Sequence, residues 1–272
     1  MLSIIVTSYR HDYFNALSAN IGLTIGETPY ELIQIWNPGI MSIGEAYNQG
    51  AVKSTHDYLL FLHEDVSFKT NNWGKVVLAY LNRQNTGICG LAGSAKQFNL
   101  PIGYETGLKK YRHIYVKHQN DELIEPGLKP HKVKTLDGVF LAMTKHLWKL
   151  FKFDSSIEGF HCYDLDISLR VSIDYQNYVL PEIIIHHLSI GQFNNAWVKS
   201  ILLFYKRTYA YDITTNVELN TIRQYWFNRL EQEDISFINK LRYILAMGIN
   251  LATWKFGVKF LFPKLWKPLN SN

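Results

Sequence analysis

Three short polar segments have residue types and spacings suited to chemistry on an anionic substrate. The first, His63-Glu64-Asp65, directly follows the apolar run over residues 58–62. Hard divalent cations prefer carboxylate oxygens, so Asp65 is a candidate metal ligand. His63 lies two residues earlier and points to the same side of an extended chain. A solvated turn has the same composition, so this triplet does not decide between the two interpretations.

The second segment, Tyr163-Asp164-Leu165-Asp166, stands at the predicted start of a helix. The free N–H groups of a helix N-terminus favour carboxylates at such positions. We predict that Asp164 acts as a general base. Asp166 is expected to be structural, either as a helix cap or as a partner of Arg170 four residues later. Taken alone, this segment favours the structural interpretation over the catalytic one.

The third segment consists of His186 and His187, followed by Leu188-Ser189-Ile190-Gly191. The preceding pattern predicts a strand over residues 179–185. Two adjacent histidines at a strand end can supply a metal ligand. Adjacent histidines also occur without a metal, so this segment supports a metal site only in combination with the other two.

The elements that carry these segments alternate between strands and helices. Predicted strands cover residues 2–7, 32–36, 58–62 and 87–93, and predicted helices cover 43–52 and 73–81. This order is typical of an α/β fold with a mostly parallel sheet flanked by helices. Ligands of such sheets bind at the carboxyl ends of the strands. The polar residues that follow the first three strands are therefore expected to converge on one crevice.

The remaining chain predicts an insertion and a helical appendage. Residues 94–135 are polar and rich in Tyr, His and Lys, which indicates an ordered insertion or a lid. A regular pattern resumes over 134–142 and continues into helices from about residue 144 and over 167–171. The predicted organisation is a catalytic domain over residues 1–195 and a helical C-terminal extension over residues 196–272.

The order of these segments resembles the inverting glycosyltransferases of the GT-A fold, particularly their large family 2. The resemblance covers residues 2–191, and no single motif carries it. The run from Ser3 to Arg10 looks like that family's first strand and uridine-contacting loop. Asn37 stands where the family usually carries an acidic residue or Asn near the base. Residues 42–50, which include Asn48, are similar to its helix with the AxNxG signature.

The three polar segments take the places of further family motifs. His63-Glu64-Asp65 replaces the DxD motif, and Tyr163-Asp164 replaces the ED motif, whose second acidic residue is the base. Asp137-Gly138 resembles the acceptor-side strand. The two departures, His63 for Asp and Tyr163 for Glu, resemble a bacterial subgroup with HxD, YDxD and a later HxSxG. Residues 187–191 fit that last pattern, so His187 is the expected ligand rather than His186.

The resemblance implies a bacterial enzyme of polysaccharide biosynthesis that transfers a sugar with inversion. The donor is expected to be a nucleotide-diphosphate sugar, in this family a UDP-sugar, and the acceptor a hydroxyl of a glycan or lipid-linked glycan. Asp164 would take the acceptor proton. The implied ligands of Mn²⁺ or Mg²⁺ are Asp65, His187 and His63. The implied nucleotide contacts are Thr7, Ser8, Tyr9, Arg10, Asn37, Asn48 and Glu64, and the implied contacts to the donor or acceptor sugar are Asp137, Gly138 and Tyr163.

The composition argues against several other classes of protein. The chain has 272 residues, 47% of them hydrophobic, and a formal charge of +5, which suits an anionic ligand without requiring nucleic acid. The basic and aromatic stretch over residues 109–117 is too short and isolated to predict nucleic-acid binding. Cys89 and Cys162 form no CxxC pair, so neither a zinc site nor a disulfide framework is indicated. With no signal peptide and no apolar run of about 20 residues, a cytoplasmic location is expected.

The C-terminal segment differs in charge from the rest of the chain. No acidic residue follows Asp234, whereas six basic residues are interspersed with Trp and Phe. This composition is typical of helices that lie in a membrane interface, which predicts peripheral contact with the inner face of a membrane. A helix packed on the catalytic domain, with Lys stems covering apolar surface, explains it equally well.

Two other functions compete with sugar transfer. A nucleotidyltransferase that makes sugar nucleotides has a related fold, but it usually carries a Gly- and Arg/Lys-rich loop after the first strand. Residues 7–12 contain no glycine, which argues against that enzyme. A non-catalytic protein that binds nucleotide sugars would keep the fold, and the presence of Asp65, Asp164 and His187 argues against it only in part. The sequence does not specify the donor sugar, the linkage or the oligomeric state.

Overall fold

Strands and helices are numbered separately in chain order, as β1 to β13 and α1 to α9, within the residues that the structure describes. The computed structural model describes residues 1–118, 124–189, 191–207, 209–248 and 250–262. The strands are β1 Leu2–Ser8, β2 Tyr30–Trp36, β3 Tyr58–His63, β4 Val66–Phe68, β5 Thr86–Gly90, β6 Ala92–Ser94, β7 Arg112–Ile114, β8 Val116–Lys117, β9 His131–Val133, β10 Thr135–Leu136, β11 Phe140–Thr144, β12 Gln176–Val179 and β13 Ile185–His187. The helices are α1 His11–Thr24, α2 Ile43–Lys53, α3 Trp73–Leu81, α4 Lys145–Phe151, α5 Tyr163–Val171, α6 Asn195–Tyr205, α7 Asn216–Leu230, α8 Phe237–Ala246 and α9 Leu251–Leu261.

The central sheet of the described chain has the strand order β2-β1-β3-β11-β5-β12-β9. β1 pairs in parallel with β2 and β3, and β12 pairs in parallel with β5. The pairings of β11 with β3 and β5, and of β12 with β9, are antiparallel. The predicted α/β sheet flanked by helices is confirmed. Its parallel character is limited to the β2-β1-β3 group and the β5-β12 pair.

The alternation of side chains along β1 builds a separate core on each face of the sheet. Ile4 and Val6 belong to the cluster beneath α1 and α3, whereas Ile5 belongs to the cluster beneath α2, α4 and α5. Successive residues of a strand point to opposite faces, so a continuous run of β-branched residues serves both layers. Helix α2 approaches β1 so closely that a Cβ atom at Gly50 would lie 2.2 Å from Ile5 Cγ2. The glycine of the AxNxG signature therefore has a packing role.

The register of the parallel strands brings their carboxyl ends to one edge of the sheet. Thr7 of β1 lies opposite His63 of β3, and Ser8 lies opposite Trp36 of β2. Each strand ends there in polar or aromatic residues, because the apolar run has given way to a loop. The strand register therefore brings these residues together at the edge where the sequence predicts a crevice.

Three elements differ from the sequence-based expectation. Helix α1 was not predicted, because only Leu17, Ile21 and Thr24 of its residues are buried and its apolar periodicity is weak. The strand predicted over 87–93 is interrupted at Leu91, and its halves β5 and β6 join different sheets. The strand predicted over 179–185 was wrong: β12 ends at Val179 and β13 begins at Ile185. Pro181 lies between them, and proline has no N–H group to donate to a sheet.

The described strands of the 94–135 insertion join three sheets. β7 pairs with β6 in a small sheet that also contains β10, β8 joins β4 and β13 in another, and β9 is the edge strand of the central sheet. The sheet that contains β8 is important for the site, since β4 follows Asp65 and β13 contains His187. The insertion thus adds a strand beside a candidate ligand.

The C-terminal helices share a hydrophobic core with the preceding part of the chain. Phe98 and Leu165 lie in one cluster with Trp197 of α6, Trp226 of α7 and Tyr243 of α8. The predicted boundary between residues 195 and 196 therefore separates segments that pack as one layer. Within the described residues no helix is both long and apolar enough to cross a bilayer. Lys264, Trp266 and Lys267, which belong to the basic C-terminal segment, lie outside the described residues.

Candidate active site

Two histidines and an aspartate meet at the carboxyl edge of the sheet. Ligand atoms of His63, Asp65 and His187 all lie within 4.8 Å of one another. Asp65 Oδ1 lies 3.1 Å from His187 Nε2, and the backbone N–H of Ser189 donates to Asp65 Oδ2 over 3.2 Å. Imidazole nitrogen and carboxylate oxygen are common ligands of divalent transition metals. The three side chains are thus arranged as a group that could hold one divalent cation.

The strand pairing explains how residues so far apart in sequence come together. His63 ends β3, and the chain turns through Glu64 and Asp65 directly into β4. β4 pairs with β13 so that Val66 lies opposite His187. The N–H of Leu188 also donates to the backbone oxygen of Asp65 over 2.9 Å. Because neighbours in a strand point to opposite faces, His187 joins the cluster and His186 does not.

The charge states of the cluster suit metal binding. Burial and the adjacent His187 lower the pKa of His63 to about 4, so this imidazole is neutral near pH 7. Burial acts to raise the pKa of Asp65, but the hydrogen bonds and charge of His187 and the Ser189 contact outweigh it and hold that pKa below its ordinary value. A neutral imidazole and an ionised carboxylate are the forms that bind a metal. The residues present therefore fit a divalent cation.

Asp164 lies in the first turn of α5, next to Gly138. The resemblance implied a strand at Asp137-Gly138, but these residues lie in the turn between β10 and β11. Its Oδ2 accepts the backbone N–H of Gly138 over 2.9 Å, and its Oδ1 accepts the N–H of Leu165 over the same distance. Burial and the charge of Asp137 raise the pKa of Asp164 to about 7, although the two N–H donors act in the opposite direction. A carboxyl group with this pKa is half ionised at neutral pH and is well matched to general-base chemistry there.

Tyr163 connects Asp164 to the metal-ligand cluster. Its hydroxyl group lies 3.0 Å from His63 Nε2, and its buried ring packs near Tyr47 and Phe153. A Cβ atom added at Gly138 would lie 1.9 Å from that hydroxyl oxygen. Gly138 is therefore required for the close approach of the β10–β11 turn to Tyr163, and its N–H group holds the Asp164 carboxylate.

Asp137 lies on the same side of the cavity but has a local hydrogen bond of its own. Its Oδ1 accepts the backbone N–H of Val139 over 2.9 Å. The side chain is partly exposed and lines the cavity together with Gly138 and Tyr163. All three residues predicted to contact a sugar are thus found at one wall of the site.

Asp166 is buried and has partners for both of its carboxylate oxygens. Arg170 donates to Oδ2 over 2.6 Å, and the Tyr209 hydroxyl donates to Oδ1 over 2.7 Å. The expected pairing of Asp166 with Arg170 is present. Two acidic residues of one motif therefore have different surroundings: Asp164 faces a cavity, whereas Asp166 joins α5 to the segment after α6.

The end of β1 and the loop that follows it combine buried and exposed residues. Thr7 and Ser8 end the strand and are buried, and Ser8 accepts a hydrogen bond from Gln34 over 3.1 Å. Tyr9 and Arg10 are exposed, and their backbone N–H groups both donate to Glu64, each over 3.2 Å. The Glu64 carboxylate is buried by this contact, so it holds the loop in place and is not free for direct contact with a nucleotide.

Asn37 and Asn48 use their side chains within the protein. Asn37 Oδ1 accepts the N–H groups of Ile40 and Met41, which fixes the turn after β2. Asn48 Oδ1 accepts from Trp148 Nε1 and from the N–H of Phe153, and its amide donates to the Phe153 oxygen over 2.8 Å. Asn48, the asparagine of the AxNxG signature, therefore uses its hydrogen bonds to join α2 to α4 and to the residue Phe153 that follows it.

One cavity of about 710 Å³ joins the candidate base to the metal-ligand cluster. Asp164, His63 and His187 all line it. Further lining residues come from the insertion, the loops before α5 and α6, and helix α7: Tyr104, Glu105, Arg112, His118, Phe160, Phe193, Trp226 and Arg229. Arg112 belongs to the basic and aromatic stretch over residues 109–117, for which the sequence suggested a solvated loop or a phosphate contact. No role was predicted for the others.

An aromatic pair at the end of β2 was also not predicted. The rings of His11 and Trp36 are stacked with centroids 4.4 Å apart and an interplanar angle of 14°. Trp36 is partly exposed and directly precedes Asn37. An exposed aromatic surface beside Tyr9 adds a stacking platform to the polar edge where the nucleotide is predicted to bind.

Comparisons with known proteins agree with this geometry. Residues 3–219 match the model of the family described as "Glycosyltransferase like family". The crystal structure of GalNAc-T7 with UDP, GalNAc and Mn²⁺ is similar at a TM-score of 0.57 and 12% identity, covering 96% of this chain and 54% of that one. Staphylococcus aureus TarS is similar at a TM-score of 0.51 and 10% identity, covering 97% of this chain and 52% of that one.

The structure of S. aureus TarS 1-349 also has a TM-score of 0.51, at 9% identity and 97% coverage of this chain and 82% of that one. The chain spans about half the length of GalNAc-T7 and of the longer TarS chain. No curated protein sequence matches it significantly. The similarities to solved structures confirm the predicted α/β fold.

Proposed function

The chain belongs to the glycosyltransferase-like family whose model it matches, and on this premise we propose that it transfers a sugar from a nucleotide-diphosphate donor with inversion. The proposed donor is a UDP-sugar, and the proposed acceptor is a hydroxyl of a glycan or a lipid-linked glycan. The observation that carries the proposal is the presence of Asp164, His63 and His187 on the wall of one cavity. A base and a cluster for an anionic leaving group are both needed for a direct displacement.

The donor diphosphate is proposed to lie at the His63, Asp65 and His187 cluster, with the nucleoside toward the loop after β1. Asp65 and His187 would hold Mn²⁺ or Mg²⁺, with His63 as a third contact. When bound, such an ion supplies Lewis-acid neutralisation of the charge that develops on the diphosphate. Tyr9, Arg10 and the exposed Trp36 are the residues of this edge that have groups available to a nucleoside.

The reaction itself is proposed as a single displacement. The acceptor hydroxyl oxygen forms a bond to the anomeric carbon while the bond from that carbon to the diphosphate oxygen breaks, and the hydroxyl proton passes to the Asp164 carboxylate. The two N–H groups from Gly138 and Leu165 fix the orientation of this carboxylate. Positioning of the two reactants and fixed dipoles are general sources of rate enhancement in such a site.

Several other residues that line the cavity suit a carbohydrate acceptor. Phe160 and Phe193 offer aromatic faces, and the ion pair of Glu105 with Arg112 offers groups that accept and donate hydrogen bonds. Ligand pockets commonly combine an apolar lining with a few oriented polar groups. A lipid-linked acceptor would bring the enzyme to a membrane surface.

Donor hydrolysis followed by nuclear magnetic resonance tests the proposal without knowledge of the acceptor. The full chain would be incubated with Mn²⁺ and a panel of nucleotide sugars, and the anomer first released would be recorded before it equilibrates. We expect one donor to be consumed, with the released sugar of opposite anomeric configuration and with much slower release by Asp164→Asn. Retention of configuration, or consumption of none of the donors, would contradict the proposal.

A further inference from the structure

Helix α8 carries an apolar stripe on the side that faces solvent. Ile238, Leu241 and Leu245 recur at spacings of three and four residues, and Ile238 is 62% exposed. Residues at this spacing lie on one face of a helix. The buried face of α8 is a different one, formed by Asn239, Tyr243 and Ile244.

Helix α9 repeats this arrangement. Leu251, Trp254 and Val258 are exposed, and Phe262 directly after the helix is exposed as well, with Leu251 at 88%. Phe260 is buried in the core that the C-terminal helices share with the rest of the chain. A surface helix of a globular protein usually presents polar residues to solvent. The exposed apolar stripes of α8 and α9 are therefore not needed for packing of the fold.

The two stripes are joined at one end into a single surface. The ring centroids of Phe237 on α8 and Phe262 after α9 are 6.2 Å apart, and both side chains are exposed. We call this surface the outer face, formed by Phe237, Ile238, Leu241, Leu245, Leu251, Trp254, Val258 and Phe262. Contiguous exposed apolar surface of this kind marks an interaction site.

The charges around the outer face favour an anionic occupant. Arg242 and Lys255 are exposed on the same helices, and no acidic residue follows Asp234. Glu231 is paired with Lys259 over 3.1 Å, and the exposed Asp234 lies three residues before Phe237. A second copy of the chain is disfavoured, because two identical surfaces that meet would bring the cationic Arg242 and Lys255 side chains of both copies into one interface.

We propose that the outer face binds the surface of an anionic lipid bilayer, with α8 and α9 lying in the interface. Trp and Phe prefer the boundary between head groups and acyl chains, and Arg and Lys are attracted to anionic lipids. The outer face lies one helix away from the cavity: Phe260 of α9 contacts Phe227 of α7 at 5.6 Å between centroids, and Trp226 of α7 lines the cavity. Binding at this face holds the cavity near the membrane surface. The inference goes beyond the proposed reaction and does not depend on it.

Co-sedimentation with vesicles tests the proposal directly. The full chain would be mixed with vesicles of phosphatidylcholine alone or with about one-third phosphatidylglycerol. We expect binding to the anionic vesicles that weakens in high salt. The double variant Leu241→Ser/Trp254→Ser should reduce the binding by about tenfold or more, since each change removes buried apolar area at the interface. Arg242→Gln/Lys255→Gln should reduce it about tenfold on anionic vesicles only.

Matched variants distinguish the outer face from the other surfaces of the chain. Leu203→Ser changes an apolar residue on α6 that is more exposed than Leu241 or Trp254, and this variant should bind like the parent chain. Lys264→Gln/Lys267→Gln changes the basic residues beyond the outer face, and most binding should persist. All variants would be compared by circular dichroism and unfolding temperature to verify the fold. The proposal is overturned if the parent chain does not bind anionic vesicles or if the outer-face variants bind normally. It is also overturned if sedimentation shows a dimer that these variants abolish.

Discussion

At the residue scale, the two aspartates of one helical turn illustrate how environment divides roles between identical side chains. Asp164 borders the cavity, and burial together with Asp137 raises its pKa to about 7. Asp166 lies in the interior and is neutralised by Arg170 and by the Tyr209 hydroxyl. The first carboxylate is available for proton transfer, whereas the second is committed to holding α5.

Substitution of these two residues should affect different properties. Asp164→Asn removes the base while keeping the shape, so turnover should fall about a hundredfold or more, with donor affinity barely changed. Asp166→Asn leaves Arg170 without its charge partner and should lower the free energy of unfolding by roughly 3 kcal/mol. Turnover, calorimetric donor binding and thermal unfolding would be measured for both variants. Normal turnover in Asp164→Asn, with loss confined to Asp166→Asn, would mean that the base is misassigned.

The pH dependence of turnover should report the raised pKa of Asp164. A general base acts in its ionised form, so activity should increase as the pH rises through about 7 and level off above it. Below that pKa the carboxyl group is protonated, and the rate should fall about tenfold per pH unit. The measurement is a pH–rate profile of nucleotide release. A flat profile between about pH 5.5 and 8, or one unchanged in Asp164→Asn, would exclude Asp164 as the titrating base.

At the element scale, the motifs indicated that His63, Asp65 and His187 would lie close together, but they misplaced the strand that carries His187. The pattern over 179–185 suggested one strand, yet Pro181 separates β12 from β13. His187 nevertheless lies beside Asp65, because the pairing of β13 with β4 fixes that position. The order of the motifs in the sequence predicted which side chains would lie close together. The β13–β4 pairing joins segments more than a hundred residues apart, and no local sequence pattern predicts it.

Other elements show where local sequence was insufficient. The motif around Asn48 was expected to contact the nucleotide, but its hydrogen bonds brace Trp148 and Phe153. The composition of the C-terminal segment predicted either packing or membrane contact. The structure shows one buried and one exposed apolar side on α8 and α9, so packing is satisfied without using the outer face. The buried and the exposed apolar residues of these two helices can be distinguished only by their solvent exposure in the structure.

The turn that contains Gly138, between β10 and β11, offers a test of how closely the elements must pack. In Gly138→Ala the new Cβ atom would lie 1.9 Å from the hydroxyl oxygen of Tyr163, whose buried ring has little freedom to move. The turn or α5 must shift, which disturbs the N–H group that orients Asp164. We expect turnover to fall by at least about tenfold, because small misplacements at a reacting centre are costly.

Gly22→Ala provides the control for that substitution. Gly22 is exposed in α1, and a Cβ atom there would make only an ordinary contact of 3.5 Å with the Tyr30 hydroxyl. Alanine is also the better helix former, so stability should not fall. Turnover and unfolding temperature would be compared for both variants. Equal turnover in Gly138→Ala and the parent chain would show that the close approach is not important for the site.

At the scale of the whole molecule, the C-terminal helices complete the cavity. Trp226 and Arg229 of α7 line it together with Tyr104 and Glu105 of the insertion. The matched family range, residues 3–219, also extends past the boundary predicted at 195/196. The sequence pattern becomes helical from about residue 196 and therefore suggested a separate unit. The shared core depends on contacts between residues near 100, 165 and 226, which composition does not reveal.

One claim is central to the proposed function: a nucleoside diphosphate and a divalent cation bind together at the carboxyl edge of the sheet. Thermal unfolding with a panel of nucleoside diphosphates, with and without Mn²⁺, tests it for the parent chain and for Asp65→Ala. The exposed Asp174 offers a control, Asp174→Ala. Each shift would be taken relative to the same variant without ligand.

We expect one nucleotide to raise the unfolding temperature of the parent chain and of Asp174→Ala only when Mn²⁺ is present. A ligand at about 100 times its Kd stabilises by about 2.7 kcal/mol, which corresponds to roughly 5 °C in a chain of this size. Asp65→Ala should lose this shift. The claim is contradicted if no nucleotide produces a Mn²⁺-dependent shift, or if Asp65→Ala shows the same shift as the parent chain.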